Sequence, residues 1–119
     1  LLVKGTVDLW LDGDDGRPRL YDHKTNAPGP SLPDAAALLE RYATQLRLYA
    51  LATERIVERD VASASLLLLD PAWAARGVPV EVPVDVSGEA LAATRRLCRA
   101  YAVAMLEQRF PARWEDLLA

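Results

Sequence analysis

At 119 residues the chain is long enough for one compact domain, and its 51% hydrophobic content suffices for a core. No apolar run approaches the ~18 residues of a membrane-spanning helix, and the single cysteine, Cys98, excludes an intrachain disulfide and a self-contained four-cysteine iron–sulfur centre. A formal net charge of -3 argues against an independent nucleic-acid binder, which draws most non-specific affinity from a basic face.

Val3 to Leu11 and Arg17 to Thr25 read as strands joined by the turn-rich Asp12-Gly13-Asp14-Asp15-Gly16, a β-hairpin. In the second strand the period of two puts Leu20, Asp22 and Lys24 on one face, with Tyr21, His23 and Thr25 on the other. His23 therefore points away from Asp22 and Lys24 and is not expected to act as a general base. Asp8 and Asp22 are separated by thirteen intervening residues. If residue 8 pairs across from residue 22, the carboxylates face each other at roughly 5 Å between Cβ atoms. An even register achieves this; an odd one needs a bulge. Opposed like charges are destabilising and call for a cation between them. Mg²⁺ is the natural candidate, being hard, oxygen-seeking and usually held by one or two carboxylates plus water and phosphate. Lys24, on the same side, is placed to neutralise or orient what the metal activates. The pattern reads as a metal-dependent phosphodiester hydrolase. Asp12, Asp14 and Asp15 read only as solvated turn caps, and taken singly Asp8 and Asp22 are open to the same structural reading.

Asn26 to Pro33, rich in Pro and Gly, reads as a flexible connector beside Lys24 that borders a substrate cleft. Asp34 to Glu58 is helical, with Pro33 near its start, Asp34 in the first turn, and Ala, Leu, Glu and Arg dominant. At 100° per residue Leu38, Tyr42, Leu46, Tyr49 and Ile56 form an apolar arc. Gln45 falls inside that arc, while Glu40, Arg47, Glu54 and Glu58 lie opposite. A buried unpaired amide costs about 1–3 kcal/mol, so Gln45 needs a partner. A backbone group would serve, as would a phosphate and metal-site water.

Val61 to Leu69 is nearly continuously apolar, as for a central strand covered on both faces. Asp70-Pro71 ends it, and Trp73 to Gly77 reads as a loop. Val78 to Val84 alternates with Pro79, Glu81 and Pro83. The prolines lie four apart, so their missing N–H groups fall on one lateral side, as in an edge strand. Ser87 caps a last helix to about Gln108, with Leu91, Cys98, Tyr101 and Met105 facing inward. Phe110-Pro111 stops it, and Trp114 is expected to fold back onto the body. Arg95, Arg96 and Arg99, with Arg76 elsewhere, make either a modest phosphate-contacting patch or a solvated helix face. The order is β-β-α-β-β-α, a mixed sheet with helices packed on it. The lone cysteine fits a reducing compartment. Because the chain opens at Leu1 directly into a strand, it reads as part of a larger chain, and the lack of a signal peptide carries no weight.

Three blocks stand in order: Gly5-Thr6-Val7-Asp8, Leu20-Tyr21-Asp22-His23-Lys24-Thr25-Asn26, and Tyr42-Ala43-Thr44-Gln45-Leu46-Arg47-Leu48-Tyr49-Ala50. They resemble the RecB/AddA-type nuclease branch of the PD-(D/E)XK superfamily. Its order is an Asp after a Gly in one strand, Asp-x-Lys-[ST]-[ND] in the next, and Tyr-x-x-Gln-x-x-x-Tyr on the following helix. The resemblance implies a restriction-endonuclease-like α/β fold in a single domain over 1–119. It also implies Mg²⁺-dependent DNA phosphodiester hydrolysis, exonuclease or endonuclease, with Mn²⁺ as a substitute metal. Asp8, Asp22 and the His23 backbone carbonyl would ligate the metal. Lys24 would position the attacking water or stabilise developing charge. Gln45 and Tyr49 would help arrange the site and the nucleic-acid strand, with Thr25 and Asn26 also in contact with substrate. The implied setting is cytoplasmic: a helicase–nuclease system of DNA repair and recombination. Its partner would be a helicase, on another domain or another polypeptide, and its substrate single-stranded DNA or linear duplex ends. Such a partner could hold the strand that an acidic domain does not. The family's core normally has a helix before the first strand, often bearing another ligand, and the chain lacks it. A catalytically inert DNA-binding or scaffolding module of the same fold is the second reading, and a small ferredoxin-like interaction domain is the third. Retention of Asp8, Asp22, Lys24 and Gln45 together favours the first.

Overall fold

In the computed structural model, which describes residues 9–107, the Asp-Gly-rich segment makes the expected reversal of the chain. Gly16 takes φ 74°, a left-handed conformation open to glycine, and its N–H donates to the Gly13 carbonyl at 2.9 Å. The Arg17 backbone N–H donates to Asp15 Oδ1 at 3.0 Å, which holds the Asp15 carboxyl below its usual range. β1 (Leu9–Asp12) and β2 (Pro18–Lys24) accordingly pair antiparallel, Leu9 opposite Tyr21 and Asp12 opposite Pro18. This is the even register that the paired-carboxylate expectation requires. Asp8 itself lies outside the described residues, as do Gln108, Phe110, Pro111 and Trp114.

α1 (Ala35–Val57) carries the chain across to β3 (Ser63–Leu68), which runs parallel to β2 with Asp22 beside Leu66 and Lys24 beside Leu68. Parallel neighbours need such a crossover, usually a helix. Asp34 precedes α1 as its cap, not as a first-turn acid: its backbone is extended and its Oδ1 accepts the Ala37 N–H at 2.9 Å. Asp34→Ala is expected to cost about 1 kcal/mol, read as a lower urea midpoint at unchanged slope. Glu58 closes the other end at φ 57°, donating its N–H to the Glu54 carbonyl at 2.9 Å.

β4 (Glu81–Val84) pairs antiparallel with β3 and completes the order β1-β2-β3-β4. It is shorter than the alternation predicts, with Pro79 before its start. The Leu68 N–H donates to the Val80 carbonyl at 2.8 Å, so even-numbered backbone groups here face β3 and the Pro83 nitrogen faces outward. The edge expectation holds.

One sheet face is buried: Leu20, Ala64, Leu66, Leu68, Val82 and Val84 form one core with Leu38, Leu46 and Ala50 of α1, and Asp22 is buried on the same face. The stripe that α1 buries is turned toward Ala43, Ala50 and Thr53, leaving Tyr42 and Tyr49 half-buried and Ile56 74% exposed. The expected arc is thus corrected at Ile56. The helix packs against both the sheet and α3 (Gly88–Leu106), and small residues allow that double approach. The opposite sheet face is unevenly covered, with Ser65 buried, Tyr21 and Leu67 half-buried, and His23 and Glu81 exposed. β3 is buried or half-buried along its whole length, as expected for a central strand, and on that second face the buried Ser65 Oγ donates to Glu81 Oε2 at 3.3 Å.

Ser87 caps α3 as expected, its Oγ accepting the Ala90 N–H at 3.3 Å. Leu91, Thr94, Leu97 and Ala104 are buried there, while Cys98 and Tyr101 are half-buried and partial burial pushes the Cys98 thiol up. Trp73, expected in a loop, sits on the single turn α2 (Ala72–Ala75) and is 1% exposed. Asp70 Oδ1 accepts the Ala72 N–H at 2.8 Å and starts that turn. Trp73 Nε1–H donates to the Asn26 carbonyl at 2.7 Å, and Arg76 donates to that of Pro33 at 3.1 Å. Gly29 and Leu32 exchange two backbone bonds of 3.1 Å, and Leu32 is buried. The connector expected to be flexible is therefore pinned.

Candidate active site

Two positions apart on β2, Asp22 and Lys24 project from the same sheet face toward α1. Asp22 is 6% exposed and Lys24 is half-buried, with Nζ 3.0 Å from Asp22 Oδ2. A carboxylate so removed from water needs a cation close by. Lys24 Nζ also stands 4.0 Å from the centroid of the Tyr42 ring, so the ammonium is gripped between a carboxylate and an aromatic face. The exposed Arg41 guanidinium lies 5.5 Å from the same ring centre.

Further along α1, Gln45 Nε2–H donates to the Tyr49 hydroxyl at 3.0 Å. Gln45 is exposed, not buried inside the apolar arc, because the buried stripe has turned away from it. Its partner is a tyrosine hydroxyl, neither of the two expected kinds. Tyr42, Gln45 and Tyr49 still share one side of the helix, at spacings of three and four. His23 is exposed on the other sheet face. Lys24 O accepts the Leu69 N–H at 3.0 Å from the β3 side, so strand alternation directs the His23 carbonyl toward the β1 side. Thr25 and Asn26 are exposed just past β2, with the Asn26 carbonyl engaged by Trp73. The structure thus gathers Asp22, Lys24 and Tyr42, sets Gln45 with Tyr49, and leaves Asp8 outside the described residues. Sequence reasoning assigned Tyr42 to the core and missed its ring as a partner for Lys24, since no local spacing links residues on different elements.

Among the described residues no three or more His, Cys, Asp or Glu side chains gather as a metal site. The donors at hand are nevertheless oxygens, the Asp22 carboxylate and the His23 carbonyl. Such donors suit a hard divalent ion such as Mg²⁺, which commonly needs only one or two carboxylates. The donor chemistry fits that ion.

Arg95, Arg96 and Arg99 are exposed on α3, while Arg76 is engaged with Pro33. A cavity of about 620 Å³ lies at the other end of the parallel strands, where Arg17 and Arg95 alternate with Glu54, Asp60, Glu81 and Asp85. Its mixed signs make it no phosphate funnel.

The sequence model of the PD-(D/E)XK nuclease superfamily matches residues 1–116. The chain is 39% identical over 71 residues, 60% of its length, to an ATP-dependent helicase/nuclease subunit of Pelotomaculum thermopropionicum. It is 39% identical over 69 residues, 58% of its length, to the protein of the same name from Desulforudis audaxviator. The matched stretch spans 5% of each of those relatives. No solved structure matches the chain. The family match runs through every described element, and those elements build the mixed, helix-packed sheet that the resemblance implies: this chain belongs to the PD-(D/E)XK nuclease superfamily.

Proposed function

We propose that the chain is a Mg²⁺-dependent deoxyribonuclease domain, one unit over 1–119, working inside a cytoplasmic helicase–nuclease machine of DNA repair and recombination. The observation that carries this reading is the buried Asp22 held 3.0 Å from Lys24 at the end of a central strand. Asp22, the His23 carbonyl and Asp8 would hold the ion, and the even hairpin register supports Asp8 as the carboxylate opposite Asp22. When bound, the ion supplies an activated water and neutralises charge at the phosphoryl group. Lys24 carries three donors on a flexible stem and turns them to the attacking water or a phosphoryl oxygen. The Gln45–Tyr49 pair, with Thr25 and Asn26, orients the strand. The kinship with helicase/nuclease proteins supports a helicase partner that feeds a single strand or a duplex end. The net charge of -3 agrees with a site that does not gather DNA unaided. No helix among the described residues is long and apolar enough to cross a membrane.

Mg²⁺ or Mn²⁺ is expected to raise the melting temperature and to be required for degradation of linear single-stranded DNA. Asp22→Asn should abolish both responses. Metal-independent cleavage, or an undiminished thermal shift in Asp22→Asn, would overturn the assignment. Retained DNA binding with no cleavage under any metal would instead identify the inert DNA-binding or scaffolding module.

A further inference from the structure

We infer that Tyr42 is a positioning residue for Lys24, its ring acting as an electrostatic seat for the ammonium and not as apolar filler. The inference rests on the part assigned to Lys24 above. Lysine carries a compact charge on a stem with four rotatable bonds, so one contact leaves its end free to swing. Two contacts are present: Asp22 Oδ2 at 3.0 Å and the Tyr42 ring centre at 4.0 Å. In the proposed function the first would weaken once Asp22 held a divalent ion, which would draw on its oxygens and repel an ammonium. The ring carries no net charge that the ion can draw away, and its electron-rich face still attracts the cation.

Tyr42 is also well anchored for such a part. Leu38 and Leu46, one turn to either side on α1, are both 0% exposed and fix the helix against the sheet. The ring packs half-buried against that core and cannot follow a wandering lysine. Arg41, exposed and 5.5 Å from the ring centre, is the more distant cation and leaves the closer place to Lys24.

Three substitutions separate an electrostatic seat from filler. Tyr42→Phe keeps the ring face, whereas Tyr42→Leu and Tyr42→Met keep apolar bulk without it. Both aliphatic variants should lower kcat for metal-dependent cleavage about tenfold with KM for DNA nearly unchanged, and Tyr42→Phe should stay within about twofold. A second readout needs no activity. The sequence holds only Lys4 and Lys24, so protein labelled at the lysine ε-carbon gives two signals from it. The Lys24 ε-protons should be displaced upfield by the ring in wild type and Tyr42→Phe and should return to the ordinary lysine range in Tyr42→Leu. An identical Lys24 signal in wild type and Tyr42→Leu overturns the inference whatever the activity. So does full kcat in both aliphatic variants while Lys24→Ala is inactive. If Lys24→Ala itself cleaves normally, the failure belongs to the assigned function, and the NMR signal still decides whether the ring seats Lys24.

Discussion

Lys24→Ala is expected to lower the rate of metal-dependent cleavage by about 10²–10³-fold, the usual loss when one aligned donor to a charged transition state is removed. DNA affinity should change little, since one ammonium is a small part of the phosphate contacts of a bound strand. Single-turnover cleavage of an end-labelled linear strand, with binding measured separately, reads the two effects apart. The stability response is as informative. Without Lys24, the 6%-exposed Asp22 loses the ammonium that stands 3.0 Å from its Oδ2 in the metal-free protein. Breaking a fully buried pair costs about 3–5 kcal/mol, and partial access of water to Lys24 reduces that figure here. A divalent ion would replace the missing charge, so Mg²⁺ should raise the melting temperature of Lys24→Ala by more than that of wild type. Lys24→Arg should not restore the rate, because a guanidinium spreads its charge and holds its donors in a fixed planar fork, whereas the ammonium presents a compact charge with donors that rotate to the reacting oxygens. Wild-type cleavage by Lys24→Ala would remove the lysine from the chemistry.

Trp73→Ala should destabilise the protein by about 3–5 kcal/mol, the range for deleting a buried aromatic side chain. The tryptophan is 1% exposed, and its loss also strips the Asn26 carbonyl of its 2.7 Å donor. Trp73→Phe fills most of the volume and should cost less, about 0.5–1.5 kcal/mol for the lost hydrogen bond, because water reaches the exposed Asn26. Urea midpoints at constant slope give both values. The two variants should share a second consequence, faster proteolysis between Asn26 and Pro33, because the same bond ties down the segment that leaves Lys24. Protection of that segment in Trp73→Ala equal to wild type would show that Arg76 and the Gly29–Leu32 bridge hold it alone.

Strong local signals made much of this architecture legible. Alternation put Leu20, Asp22 and Lys24 on one face, and Asp34 and Ser87 marked two helix starts, because strand pleat and capping act over two to four residues. Trp73 escaped for the converse reason. One helical turn has no period, and the partner that buries the indole is 47 residues away. Asp70-Pro71 before it was nonetheless a usable start signal for a short helix. Gln45 was placed inward because only large apolar residues defined the arc. The buried stripe also takes in the small residues Ala43, Ala50 and Thr53, which turns it away from that choice. Asp22 and Lys24 were recoverable as a pair from spacing alone, whereas the Tyr42 contact depends on how α1 lies over the sheet.

Pro83, on the outermost strand, faces its nitrogen away from β3. Another molecule trying to extend the sheet there would meet a missing donor, so templated stacking of copies into fibrils is discouraged on that flank. Charged gatekeepers give similar protection but fade with rising ionic strength. A pyrrolidine ring does not, and the deterrent survives any salt or pH at which the strand itself remains folded.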